Sequence, residues 1–404
     1  MHHFSDQQRR QRMAVRHALH PRHHRASFET VNEAMFALHA TEIPTVYLAA
    51  FARSGGEVSV GDIDRALYEQ RSVVKQMAMR RTLFVFPRDA VPAVLGSASK
   101  RVATTELKRM RRDVERAAIA DDGAVWLQNA RQEILRRLHE HPEGLTAAAI
   151  RSSSPQANVT VNAGLPTAWS VPQILIWLGA EGDILRGAPD GTFPTARPRW
   201  STSEHWIGER LDPLSSDEGY RALVQAWLQR FGPGTEDDIV WWLGATKTIV
   251  RNALASLRAE QVSFDHDQLG WILPGDTATS SGEANGSAAI DEQWTALLPP
   301  LDPTVMGWKD RRFYLGDHAA ALFDTRGNAG TTVWVDGRVV GCWVQDEHGE
   351  VHLGLLEAIS ESAHESLRTQ ATAMTKWLGG KRVPTGYHSP AMRAVAAGLS
   401  DSAT

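Results

Sequence analysis

The chain holds a single cysteine, Cys342, among 404 residues. One thiol cannot close an internal disulfide framework or form a Cys-x-x-Cys metal site, and its expected role is that of a small apolar packing residue. No apolar run reaches the ~18–20 residues that a membrane-spanning helix needs. The opening MHHFSDQQRRQRM is polar and basic without an apolar h-region, so no secretory signal is read there and the expected compartment is the cytoplasm. There is no phosphate-cradling Gly loop and no Gly-x-Ser-x-Gly elbow. Histidine clusters at positions 2–3 and 20–24 lack cysteine or carboxylate partners at ligand spacing, so they are read as basic surface, and neither metal nor cofactor is expected.

With 42% apolar and 22% charged residues, the chain has ordinary globular usage. Its length exceeds what one core serves and suggests two to four units of roughly 100 residues. The net charge of −4 hides a strong asymmetry. Residues 1 to 116 carry about 20 Lys and Arg against about 12 acids, and the excess peaks in residues 71–116, which include KRVATTELKRMRRDVER. A field concentrated in this way is the footprint of a face that meets a polyanion, although a solvated basic helix gives the same run.

The periodicity supports repeated units of helices beside a short hairpin, the pattern of a winged helix-turn-helix. In the first, residues 1–120, Ser5 caps a basic helix, SVGDIDRALYEQ is a helix with Ser59 near its start, and VVKQMAM pairs with TLFVFP around Arg80 and Arg81. The second, 121–212, has three helices and the wing GDILRGAPDGTFPTARPRW. In the third, 213–274, Gly244 turns between a supporting helix and one opening at Thr246, and VSFDHDQLGWILPGD supplies the wing. A Gly/Ser/Thr/Ala linker is read at 275–289. Residues 290–404 alternate apolar and polar side chains around Asp336-Gly337, a strong type I′ signal, and the weaker His348-Gly349, which suggests a small β-barrel followed by a helix near 358–378. The expected class is α+β, mainly α, with three tandem winged-helix units and a C-terminal β-barrel.

Most of the fourteen Trp residues, including Trp177, Trp241, Trp242 and Trp343, lie at core periodicity and are read as packing. The stretch EAMFALHATEIPTVYLAAFAR, residues 33–53, is different: two apolar helices are pinched at Pro44, with His39 and Thr41 just ahead of the pinch and Glu42 within reach. On a regular helix an i, i+2 pair diverges, but in the loop that Pro44 forces it can converge. Thr41 reads equally well as the N-cap of the second helix, and His39 as a donor to a terminal carbonyl. Lys75, Arg80, Arg81 and Arg88 around the first hairpin are candidates to neutralise phosphates or enter a minor groove. Thr246, Lys247 and Arg251 share a face of the presumptive recognition helix, where Glu236, Asp237 and Asp238 would oppose a phosphate.

In order, ALHATEIPTVYLAAFAR, MAMRRTLFVFPRD, LLPPLDPTVMGWKDRRFYLGD and TVWVDGRVVGCW resemble the winged-helix DNA-binding family that contains the AlkZ/YcaQ-type crosslink-repair DNA glycosylases, roughly over residues 10–380. The resemblance implies three winged helices and a β-barrel around a basic channel for double-stranded DNA. It also implies hydrolysis of the N-glycosidic bond of bulky N7-alkylpurines, including unhooking of interstrand crosslinks. Characterised glycosylases of the family have Gln-x-Gln or Gln-x-Asp where this chain has His39 and Thr41. An N7-alkylated purine already carries positive charge and needs no general acid, so a neutral imidazole as base and a hydroxyl holding the water can suffice. The expectation is a metal-independent monofunctional DNA glycosylase that uses His39 and Thr41, with Glu42 as a further carboxylate. It is expected to be monomeric, cytoplasmic and nucleoid-associated when bound to alkylated or crosslinked DNA, with no obligate protein partner. The competing expectation is a non-catalytic winged-helix DNA-binding protein for damage recognition or regulation.

Overall fold

The computed structural model describes residues 1–162, 164, 168–195, 197–278 and 292–402; most of the expected linker at 275–289 lies outside them. The fold is α+β, with helices over about half the chain and several small sheets. No helix among the described residues is long and apolar enough to cross a membrane. The chain forms two compact units, one of Met1–Ala66 with Arg221–Thr404 and one of Leu67–Tyr220.

In the first unit the helix Asp6–Arg16 begins at Ser5 with a reciprocal capping box to Gln8, as its sequence predicts. Arg9 and Arg12 point inward. Arg9 is 6% exposed and lies 3.7 Å from the Phe313 ring centroid, while Arg12, 2% exposed, donates to the Gly232 carbonyl and to Asp276 at 2.7 Å. A guanidinium tolerates such burial when carboxylates and carbonyls accept its N–H bonds and ring faces attract its charge. These contacts tie the N-terminal helix to residues after 221. Further along, Glu236–Leu243 and Lys247–Ser256 flank Gly244, whose φ of 63° permits the tight turn. The strands Glu260–Phe264 and Leu269–Ile272 pair antiparallel behind them, and His2–Phe4 adds a parallel third strand. Phe4, Val262, Phe264 and Ile272 fill the small core of this sheet.

The C-terminal sheet differs from the expected barrel. Thr295–Leu298, Thr332–Val335, Arg338–Gln345 and Val351–Leu355 form an open antiparallel sheet in that order, and no closed barrel occurs among the described residues. Four strands are too few to close around packed side chains. Helices cover the sheet instead: Glu361–Leu378 packs on the two outer strands and Pro390–Ser402 on the last two. The turn at Asp336 and Gly337 has positive φ at both residues, as the Asp-Gly signal requires.

The helix Ile43–Ser54 is pinned at both ends. Thr45 Oγ1 donates to the Pro300 carbonyl at 3.1 Å, and Arg53 pairs with Asp302 through two bonds of 2.9 and 2.7 Å. Both charged residues are fully buried, and Thr304 completes the set by accepting from Arg53 and donating its backbone N–H to Asp302. His17 Nδ1 lies 2.9 Å from Thr304 Oγ1, and its ring packs on Phe231 and Trp308. Burial, and then the neighbouring Arg53 charge, hold the His17 imidazole well below its ordinary 6.5.

In the second unit, Val73–Ala78 pairs with Thr82–Pro87 in the expected hairpin. Its turn is unusual, because Arg80 and Arg81 both have positive φ, 54° and 59°. Helix Lys100–Arg116 follows, then Gly123–Glu140, Ala147–Ser153 and Val171–Glu181. Ile184–Asp190 and Arg197–Thr202 form the second hairpin, which Leu145–Thr146 extends. Gln76 bonds across this unit from its buried side chain to the Gly179 carbonyl at 2.7 Å.

Asp302→Leu leaves a buried guanidinium uncompensated, so it is expected to lower stability by about 3–5 kcal/mol in urea unfolding, and Arg53→Met combined with Asp302→Leu should cost less than either single change. Because His17 is neutral when folded and protonates near 6.5 when unfolded, its contribution is complete above that pH and is lost as pH falls below it. Unfolding midpoints measured from pH 7.5 to 5 should decline, and His17→Gln should flatten the decline by up to about 1.4 kcal/mol per pH unit.

Candidate functional site

The apolar helix Phe28–Met35 stops at Phe36, whose φ of 62° reverses the chain, and Arg230 donates to the freed Glu33 carbonyl at 2.8 Å. A two-residue strand, Leu38–His39, leads into bends at residues 41–42, and the next helix opens at Ile43 with Pro44 in its first turn. Pro44 costs nothing there because a first-turn N–H has no intrahelical partner. His39 is 8% exposed, Ala40 is fully buried and Thr41 is exposed, so the loop presents Thr41 outward and holds His39 in its wall.

Thr41 is not the N-cap. Glu42 takes that position and makes no side-chain cap bond. Its carboxylate turns instead to the segment between the last two helices, accepting from Thr385 Oγ1 at 2.7 Å and from the Gly386 N–H. A Cβ on Gly386 would stand 3.3 Å from Glu42 Oε1, so the close approach uses the missing side chain. Tyr387, next along, is raised above its ordinary value by burial and then by the Glu42 charge. A carboxylate has about four lone-pair sites, and the two protein bonds leave acceptor capacity for water. The N-terminus of the Ile43–Ser54 helix adds partial positive charge behind the anion. Sequence reasoning missed Thr385 and Gly386, and no local signal marks a partner more than 340 residues away.

The basic candidates fall into distinct settings. Lys75 is only 5% exposed, donates to Tyr68 Oη at 3.1 Å and lies 4.4 Å from that ring's centroid, so an inward strand position keeps it from meeting a phosphate. Arg80 is exposed at the hairpin tip. Arg81 is 45% exposed and pairs with the buried Glu106 at 3.0 Å. Arg88 donates to the Ile207 carbonyl and pairs with Glu209. In the first compact unit Thr246 caps its helix, Lys247 pairs with Asp237 at 2.8 Å, and Arg251 forks onto Glu236 at 2.8 and 3.0 Å. The Asp237 partner raises the Lys247 pKa, and the Glu236 partner raises that of Arg251. Asp238 is fully buried and accepts from the backbone of Lys309 and Asp310, which gives it a structural task.

The clearest basic surface is one that the sequence marked only as a charge run. Arg101, Lys108, Arg111 and Arg112 are exposed along helix Lys100–Arg116, at spacings that keep them on one side, while Ala103, Glu106, Met110 and Asp113 face inward. Trp177, Trp242 and Trp343 are all buried, as read, and Trp241 carries the Arg311 guanidinium 4.9 Å from its ring centroid. Asp346, Glu350 and His352 bring three ligand atoms within 4.8 Å of one another. Asp346 is already bonded to the His352 ring and to two backbone N–H groups of its turn.

A family model described as DNA glycosylase AlkZ-like matches residues 33–377. Among solved structures, the Streptomyces sahachiroi DNA glycosylase AlkZ is similar with a TM-score of 0.73 at 17% identity, covering 95% of this chain and 99% of that one. No curated protein matches the sequence.

Each phosphate neutralised on B-DNA contributes about 0.9 to the slope of log K against log salt. Arg80→Ala with Arg81→Ala, and separately Arg101→Ala with Lys108→Ala, are therefore expected to flatten that slope by about one to two units in titrations of a fluorescent duplex. An unchanged slope removes the corresponding surface from the interface.

Proposed function

The chain belongs to the DNA glycosylase AlkZ-like family, and on that premise we propose that it hydrolyses the N-glycosidic bond of bulky or crosslinked N7-alkylpurines in duplex DNA. The observation that carries this reading is the ordered carboxylate of Glu42, held by Thr385 and Gly386 at the mouth of the loop that bears His39 and Thr41. In this reading the helix-and-hairpin segments act as three winged helices that meet the duplex.

The chemistry asks little of the protein. Alkylation at N7 places positive charge on the purine, so when the C1′–N9 bond breaks its electron pair neutralises the base, which leaves without being protonated. The sugar becomes an oxocarbenium ion, and water adds at C1′ and gives up a proton, leaving an abasic site. Glu42 stabilises the developing cation electrostatically, and its remaining lone pairs, with the Thr41 hydroxyl, direct the water. His39, in the wall of the same loop, receives the proton.

A duplex carrying an N7-alkylguanine, incubated with the protein and then treated with alkali, is expected to break at the lesion. Loss of a general base typically costs about 10²–10⁴-fold, so His39→Ala should fall in that range in single turnover. Thr41→Ala and Glu42→Gln should also slow the step, and all three should retain duplex affinity. Binding without excision across several lesions would assign the chain to non-catalytic DNA recognition, which the burial of His39 favours.

A further inference from the structure

Residues 379–389 join helix Glu361–Leu378 to helix Pro390–Ser402 as an extended strap, started by positive φ at Gly379 and Gly380. Gln345 fastens it to the sheet, accepting from the Val383 N–H at 2.8 Å and donating to the Lys381 carbonyl at 3.2 Å. Under the strap lies a cavity of about 290 Å³. Leu48, Trp343 and Met392 give it a packed apolar floor, and each is at most 3% exposed. Arg382, Thr385 and His388 line its strap side, and Arg382 and His388 are exposed. Thr385 has two roles at once: it lines the cavity and donates to Glu42.

We propose that this cavity is a subsite for the apolar, aromatic part of the adduct carried by the damaged purine. The inference rests on the glycosylase reading above for its substrate and adds which portion is held and where. An apolar cavity of about 150 Å³ is enough for a benzene ring, so this one accommodates a single aromatic substituent. Its two sides suit a ligand with an apolar end attached to a polyanion, because Leu48, Trp343 and Met392 make the floor mainly hydrocarbon, indole and thioether while Arg382 stands at the exposed side. The Thr385 bond joins the subsite to the reacting loop, so a seated adduct lies beside the carboxylate. Leu48, one turn beyond Pro44, connects the same two places through helix Ile43–Ser54.

The test compares two duplexes identical but for one base, N7-benzylguanine or N7-methylguanine, each on a hydrolysis-resistant 2′-fluoro sugar. Fluorescence anisotropy gives the ratio of their Kd values for the full-length protein. A filled apolar pocket discriminates by roughly 10-fold or more, so the benzyl duplex is expected to bind at least tenfold tighter. Ala396→Phe, from an exposed position on the cavity rim, should bring the ratio close to one in protein whose circular dichroism is that of the parent. A wild-type ratio near one overturns the proposal without use of any variant. A ratio that survives Ala396→Phe in folded protein overturns the cavity as the seat. Failure to bind either duplex overturns the DNA reading and the subsite together. The expected ratio with no excision of the corresponding 2′-deoxy lesions supports the subsite and removes the catalytic reading alone.

Discussion

The buried pair of Arg53 and Asp302 fixes everything around the candidate loop. Desolvating two charges costs about as much as their attraction returns, so such a pair adds little net stability while making any other arrangement expensive. Here both partners are fully buried, and the carboxylate also accepts the Thr304 N–H. The consequence is positional: helix Ile43–Ser54 cannot rotate or slide against residues 300–304 without stranding a charge. Its first turn is held by the Thr45 bond to Pro300, and so the bend at Thr41 and Glu42 has a rigid C-terminal side. The N-terminal side is fixed by Arg230 on the Glu33 carbonyl. A second cation beside Arg53 would break this balance, which is why His17, sharing Thr304 with it, is held neutral.

With both ends of the loop fixed, the C-terminal strap determines where the Glu42 carboxylate points. A glutamate at an N-cap ordinarily turns toward its own helix, but Thr385 and Gly386 draw this one outward. The loop of residues 36–42 and the strap of residues 379–389 thus form one structure, although their sequences lie at opposite ends of the chain. Under the proposed reaction, this arrangement gives the segment between the last two helices a part in positioning Glu42.

Much of this was legible in the sequence where the signal is local. Ser5 and Ser59 cap helices through neighbouring residues, Asp336-Gly337 makes its hairpin, and the two apolar helices around Pro44 form as the periodicity requires. What the sequence left unread was mostly a partner distant along the chain, though not always. Alternation identified the C-terminal strands but not what would cover them, and helices rather than further strands do so. Lys75 was placed on the correct strand, yet a basic residue gives no sign that a tyrosine ring seven positions earlier will bury it. The first helix was read only as basic, and two of its arginines, Arg9 and Arg12, are buried against Phe264, Phe313 and Asp276. At the candidate loop, residue types suggested the chemistry, but the ordering of Glu42 depends on residues that no motif connects to it.

In the proposed reaction, what the loop bearing His39 and Thr41 must supply follows from the leaving group. A neutral purine must be protonated as it departs, which demands an acid with a tuned pKa and exact placement. A purine already cationic at N7 departs as a neutral molecule, so the protein has only to favour a positive sugar and aim one water. Favouring the sugar needs a negative group that stays put, and Glu42, anchored through two donors, meets that need without being one of the two motif positions. Once the anion comes from a neighbour, the motif positions are relieved of carrying charge, and a hydroxyl and an imidazole are chemically adequate for the water. In that proposal, the His39 and Thr41 pair and the capture of Glu42 by the strap are two parts of one solution.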